Sequence, residues 1–485
     1  MNDALTTRLH ELRDLQGLLN LATWDQETYM PRKAEAARAA QLSTLQGLYH
    51  ERLTDPRVGE WLERETPATP DEVATLRVLK RERDRAVKVP SRLVKAIAEA
   101  QALALGAWRQ ARDERAFSTF RPKLETLVTL RREQADALGH DGERYDALLE
   151  GYEPGMRVAR LTPVLRSLAQ KLEPLIAGIE ARPRRPDALA GRLFPVDAQW
   201  AFTMELLPAM GFDLEAGRQD RSIHPFSNGL AATDVRLTTR LFEEQPFSAI
   251  FGTLHEGGHG LYEQGFSPDD FRTPLAQAPS FGLHESQSRL WENLVGRSRP
   301  FWTFFFPKLA ARFPTQLAGV SLDDFLASVN RVQRSFVRVE ADEVTYNLHI
   351  ALRYELELGL VRGALNVGDI EDAWNQKTKQ LLGLEVKSPL EGVLQDIHWA
   401  WGEFGYFPTY TLGNLYGATL FAAARRALPS LEADLAKGHL LGLRDWLREQ
   451  VHRPGARLDA EDLVRAVTGH GLRDDDFIES LKARY

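Results

Sequence analysis

Residues 249–265 read AIFGTLHEGGHGLYEQG. His255 and His259 are spaced i and i+4, so on a helix they share one face with Cβ atoms roughly 5–6 Å apart. Two imidazoles placed this way converge on one metal ion at about 2.0–2.1 Å. Glu256 follows the first of them and reaches the attacking water, which is where a general base must stand. Zinc lowers the pKa of that water to about 7, and the carboxylate takes its proton as it attacks a carbonyl. The stretch contains no proline, and Gly265 sits where a helix C-cap is expected. Gly257, Gly258 and Gly260 each cost a helix roughly 0.5–1 kcal/mol relative to Ala. Three glycines are out of place on a surface helix without a function. They predict the close approach of another backbone or of a substrate.

A catalytic zinc site keeps three protein ligands and one open position. The next candidate ligands lie in FGLHESQSRLWENLVG at 281–296, beyond a gap containing Pro268, Pro274 and Pro279. A second helix is expected to start near Ser280. Glu285, His284 and Glu292 compete for the third position. The spacing favours Glu285, because sites of this type take a carboxylate there, and His284 points about 100° away from it around the helix. Arg289 is placed to orient the Glu285 carboxylate.

Around these segments the apolar period is helical. Leu165, Leu168, Leu172, Leu175, Ile176 and Ile179 fall on one face of 161–180, with Thr162 and Pro163 read as N-cap and first turn and Pro174 as a kink or break. Residues 91–139 read as two long helices interrupted over Asp113–Pro122, the second ending at Gly139. TDVRLTTRLF at 233–242 is the best strand signal and predicts a small sheet in a mainly helical, all-α protein. FWTFFFP at 301–307 reads as a core segment, and ARPRRPDALAG at 181–191 as a solvated loop.

The chain has 485 residues, 43% hydrophobic content and a net charge of −7. That supports a large core, in either one elongated domain or two lobes, and gives no basic stripe for nucleic acid. No cysteine is present, which excludes thiol catalysis and Cys-ligated metal and fits the reducing cytoplasm. No apolar run is long enough to span a bilayer, and the charged N-terminus does not resemble a secretion signal.

The combination HEGGHGLYEQG (255–265) with HESQSRLWEN (284–293) resembles the carboxypeptidase Taq family of metallocarboxypeptidases. Further family signatures occur in order: WDQETYMP (24–31), GRQDRSIHPF (217–226), DVRLT (234–238), VRVEAD (337–342), GVLQDIHW (392–399) and FGYFPTYTLG (404–413). Val337 replaces the usual Ile and is the one departure inside a motif. The resemblance implies a neurolysin-like helical fold with a deep groove and a small sheet beside the site. It implies a homodimer and a divalent metal, usually Zn2+, with Co2+ able to substitute. It implies Glu285 as third ligand and release of C-terminal residues with broad preference.

A carboxypeptidase must hold the free carboxylate of its peptide substrate, and an Arg fork does so best. Arg338 matches the family arginine at the substrate site. His398, Tyr406 and Tyr410 are candidate donors to the developing oxyanion or to the carboxylate. Asp396 can orient His398 only if the two meet across a turn. His224 lines the pocket on this reading, and Arg236 either lines it or supports the sheet. Two other functions remain open: an endo-acting zinc oligopeptidase, which needs no carboxylate anchor, and a catalytically silent helical scaffold, which needs none of the metal ligands.

Overall fold

A computed structural model describes residues 1–485. The chain is 66% helical, and its sheet has three strands in the order β1-β3-β2. These are β1 (Gly217–Arg221), β2 (Ser227–Ala231) and β3 (Asp234–Thr239). β3 pairs parallel with β1 and antiparallel with β2, with a bulge between Gly229 and Ala231. The strand expected at 233–242 is the centre of this sheet. Its period of two has a direct consequence. Val235 and Leu237 are buried, while Arg236 points to the other face, where its guanidinium lies 4.3 Å from the Trp24 ring centre.

The N-terminal helix, Asp3–Thr28, is fastened through that face. Arg236 forms paired 2.9 Å bonds to Asp234. Arg218 bonds Asp220 in the same way and lies 5.2 Å from the Trp24 ring. The Tyr29 hydroxyl donates to Asp220 at 2.6 Å. The segments WDQETYMP, GRQDR and DVRLT therefore meet as one structural joint, and Arg236 supports the sheet.

One contiguous apolar core runs from Val89 to Leu481, and a smaller one lies under the first four long helices. Several local expectations are corrected. The helix read from 161 begins at Val158, whose N–H is accepted by Asp146 at 2.6 Å, and runs unbroken to Glu180. Thr162 is thus inside the helix, and its hydroxyl pairs with Tyr354 rather than capping. Pro174 does not divide this helix, because buried Leu168, Leu172 and Ile176 hold both sides of it to one core. The break between Ser91–Glu114 and Phe117–Leu138 is only Arg115 and Ala116, with Arg115 at φ 54°. Pro122 lies inside the second helix. Gly139, at φ 86°, ends it as expected. Residues 299–312 form a helix that buries Phe301, Trp302 and Phe305, and 181–191 is an exposed loop. No helix is long and apolar enough to cross a membrane.

Candidate metal centre

The metal helix spans Pro246–Glu263. Proline in its first turn supplies a preset φ where no donor is missed, and most of its circumference is buried. The open positions Ser248, Gly252, His255, His259 and Glu263 form one stripe at helical spacing. The helix is tied to the sheet through Thr253, whose hydroxyl donates to Gln219 at 3.0 Å.

The second helix, Phe281–Arg289, starts at Ser280, whose hydroxyl accepts the Leu283 N–H at 3.0 Å. It continues as a π-helical stretch, Leu290–Val295. Gly258 lets the two helices touch: a Cβ there would lie 2.5 Å from the Gln287 carbonyl oxygen and 2.7 Å from Ser288 Cα. Gly413 does the same for helix Pro408–Ala427, since its Cβ would lie 2.5 Å from Glu285 Cγ. Gly265 is not a left-handed cap. The metal helix ends at Gln264 in the αR region, and Gly265 is needed because His452 Cβ lies 2.5 Å from where its own Cβ would stand.

This packing brings His255, His259 and Glu285 together, with their ligand atoms within 4.8 Å of one another. Glu285 Oε2 lies 3.7 Å from His255 Nε2 and 3.3 Å from His259 Nε2. Ligands about 2.0–2.2 Å from a tetrahedral centre stand roughly 3.3–3.6 Å apart, so the donor set fits one divalent ion. Glu285 Oε1 accepts from Arg289 Nε at 2.7 Å. Burial opposes the Glu285 charge, but Arg289 and the imidazoles outweigh it and hold the carboxyl well below its ordinary range.

Neither rival joins the trio. Glu292 stands behind His255, with Oε2 2.9 Å from Nδ1, and is flanked by Arg289 and Arg297. The wider π turn aims it there. His284 bonds Glu263 at 2.9 Å. Glu256 is 6% exposed and accepts no hydrogen bond within the chain. Burial pushes its carboxyl up to about 7, and a neighbouring cation acts in the opposite direction.

Arg338 is also 6% exposed. Its Nε donates to Asp396 at 2.9 Å and its Nη1 to Tyr346 at 2.9 Å, leaving Nη2 without a partner in the chain. Its Cζ lies 5.0 Å from the Tyr410 ring centre. Asp396 also receives Arg353, and Gln395 accepts both the Arg338 backbone N–H and Arg353 Nη2. Asp396 serves the two arginines: its oxygen is 4.0 Å from His398 Nδ1, beyond hydrogen-bond reach. His398 Nε2 pairs with the Tyr410 hydroxyl at 3.1 Å, and its ring stacks 5.6 Å from Tyr406. Burial, followed by the Arg338 charge, lowers His398 to about 3, so its ring is neutral.

The sequence reading missed Tyr346, which links the two halves of the site: Arg289 lies 4.7 Å over its ring while its hydroxyl accepts Arg338. No spacing signals this, because Tyr346 opens a different helix. His224 is exposed in the turn between β1 and β2, and its ring bonds no residue of the centre.

The chain matches known proteins over almost its whole length. The profile of the carboxypeptidase Taq (M32) metallopeptidases matches residues 4–485. Thermostable carboxypeptidase 1 of Thermus thermophilus is 46% identical, over 97% of this chain and 95% of that one. The crystal structure of an M32 carboxypeptidase from Deinococcus radiodurans R1 superposes with a TM-score of 0.96 at 39% identity, covering 99% of this chain and 98% of that one. A structure of Pyrococcus furiosus carboxypeptidase superposes with a TM-score of 0.97 at 33% identity, covering 100% and 99%.

Proposed function

Since the chain belongs to the carboxypeptidase Taq (M32) metallopeptidase family, and is therefore a metal-dependent carboxypeptidase, we propose how its residues carry out that reaction. The observation that carries the reading is the convergence of two histidine Nε2 atoms and one Glu285 oxygen. Beside them lies Glu256, a buried carboxylate with no partner in the chain. We read the ion as Zn2+, because two imidazoles and a carboxylate are a catalytic zinc set, and Co2+ as able to substitute on the family resemblance. A divalent ion bound there supplies Lewis acidity, which acidifies water and polarises the scissile carbonyl.

His255, His259 and Glu285 are the ligands. Glu256 takes the proton from the attacking water and later delivers it to the leaving amine, a role supported by its place next to His255. Arg338 holds the terminal carboxylate through its uncommitted Nη2, so that the last peptide bond lies at the ion. The rest of its guanidinium is locked by Asp396 and Tyr346. Tyr410, paired with neutral His398, and Tyr406 beside it supply donors to the oxyanion or the carboxylate. His224 is kept as a pocket-lining contact on its family segment alone. We read 1–485 as one catalytic domain whose two helical lobes flank the groove. We place it in the cytoplasm on its cysteine-free composition, and as a homodimer on the family resemblance.

The test uses one short peptide in two forms, free C-terminal acid and C-terminal amide, with products followed by mass. Chelator-sensitive loss of single C-terminal residues from the acid alone supports the reading. Internal cleavage of both forms would make the protein an oligopeptidase, and no chelator-sensitive cleavage of either would make it a silent scaffold.

A further inference from the structure

The two imidazoles of the centre are secured in different ways. His255 has a carboxylate behind it, Glu292, 2.9 Å from Nδ1. His259 has nothing equivalent: its Nδ1 is buried without a hydrogen-bond partner. What meets the His259 ring is His284, with centroids 4.4 Å apart and planes 14° apart. The same ring lies 5.5 Å from Tyr262, at 22°, so it covers two residues of the metal helix spaced i and i+3. His284 is itself held, Nε2 to Glu263 Oε1 at 2.9 Å. Glu263 is the next position after His259 on the open stripe, so the clasp begins and ends on the metal helix.

We propose that His284, held by Glu263, is a positioning residue that fixes the His259 ring by stacking, in place of the hydrogen bond that His255 donates to Glu292. The inference rests on the metal-site reading above. An imidazole turns readily about its last side-chain torsion, and turning would swing Nε2 away from Glu285. A parallel ring at contact distance removes that freedom without using Nδ1. The Glu263 carboxylate on the His284 N–H adds electron density to the face presented to His259. That favours a ring that becomes more positive on binding a cation. His284 is not among the side chains whose ligand atoms converge, which are His255, His259 and Glu285.

The experiment measures the Zn2+ dissociation constant of the metal-free protein by competition with a chromogenic chelator. It compares wild type, His284→Ala, His284→Phe and His259→Ala, with the melting temperature of each metal-free protein as a fold control. His284→Ala is expected to weaken Zn2+ binding about 10–100-fold, and His284→Phe, which keeps a flat ring, to stay within about threefold of wild type. The melting temperatures are expected to stay close together. Wild-type affinity in His284→Ala would overturn the proposal, as would equal losses in the Ala and Phe variants. Loss of binding in His259→Ala with an unchanged His284→Ala removes only the stacking role. Wild-type affinity in His259→Ala removes the metal site itself.

Discussion

Glu292 Oε2 lies 2.9 Å from His255 Nδ1, between Arg289 and Arg297. The first arginine also holds Glu285, so one side chain steadies a metal ligand directly and another through Glu292. Burial opposes the Glu292 charge, but Arg289 and His255 outweigh it and lower the carboxyl to about 2. Glu292→Ala should weaken Zn2+ affinity about 10–100-fold, the usual cost of losing such a partner. Chelator competition checks this, and unchanged affinity would show that the pair does not position His255.

Arg338 tests the exopeptidase geometry. Arg338→Gln should raise KM for free-acid peptides and lower kcat/KM by on the order of 2–5 kcal/mol, since a buried charged contact is lost. Lysine should not rescue it, because it cannot donate to Asp396, Tyr346 and a carboxylate from one planar fork. Steady-state kinetics of both variants decide the point, and wild-type KM in either would locate the carboxylate elsewhere.

Gly258 sets two effects against each other. Alanine should gain the metal helix about 1 kcal/mol of propensity. Its Cβ would lie 2.5 Å from the Gln287 carbonyl oxygen, which is backbone and cannot step aside. Overpacking of this kind costs about 1–3 kcal/mol, so Gly258→Ala should lower the melting temperature. It should also weaken Zn2+ binding by parting His259 from Glu285. A raised melting temperature would contradict the contact.

Glu153 gives a pH signature. It accepts the Gly282 N–H at 2.6 Å and the Thr409 hydroxyl at 2.8 Å, tying the Glu285 helix to the tyrosine segment. Burial pushes its carboxyl up to about 7 from 4.5. A raised carboxyl binds its proton more tightly in the native state, so its contribution is fully present below pH 4.5 and is lost as pH rises through about 7. Glu153→Gln does not titrate. Its stability relative to wild type should therefore rise by up to about 1.4 kcal/mol per pH unit across that window. Denaturant unfolding at several pH values measures this, and a constant difference would show that Glu153 is ionised when buried.

The centre was legible wherever spacing within one helix decided it. His255, Glu256 and His259 follow from i and i+4, and the glycines announce the close helix contact that Gly258 makes with Gln287 and Ser288. Choosing Glu285 over Glu292 was only a preference from sequence, because the π turn after Arg289 rotates Glu292 behind His255 and no residue signals that turn. The Asp396 partners, Arg338 and Arg353, lie in segments distant in the chain and meet only in the folded core. Proline is a weak boundary signal in this chain. Pro163, Pro174 and Pro122 all lie inside helices that packing holds together.

The most direct test of the residue-level account is Glu256→Gln, assayed for bound Zn2+ per chain and for turnover of a free-acid peptide in the same preparation. Wild-type Zn2+ content with turnover lost is the expected result, because the three ligands remain and the proton acceptor does not. Retention of most of the rate with Zn2+ bound would contradict Glu256 as the base.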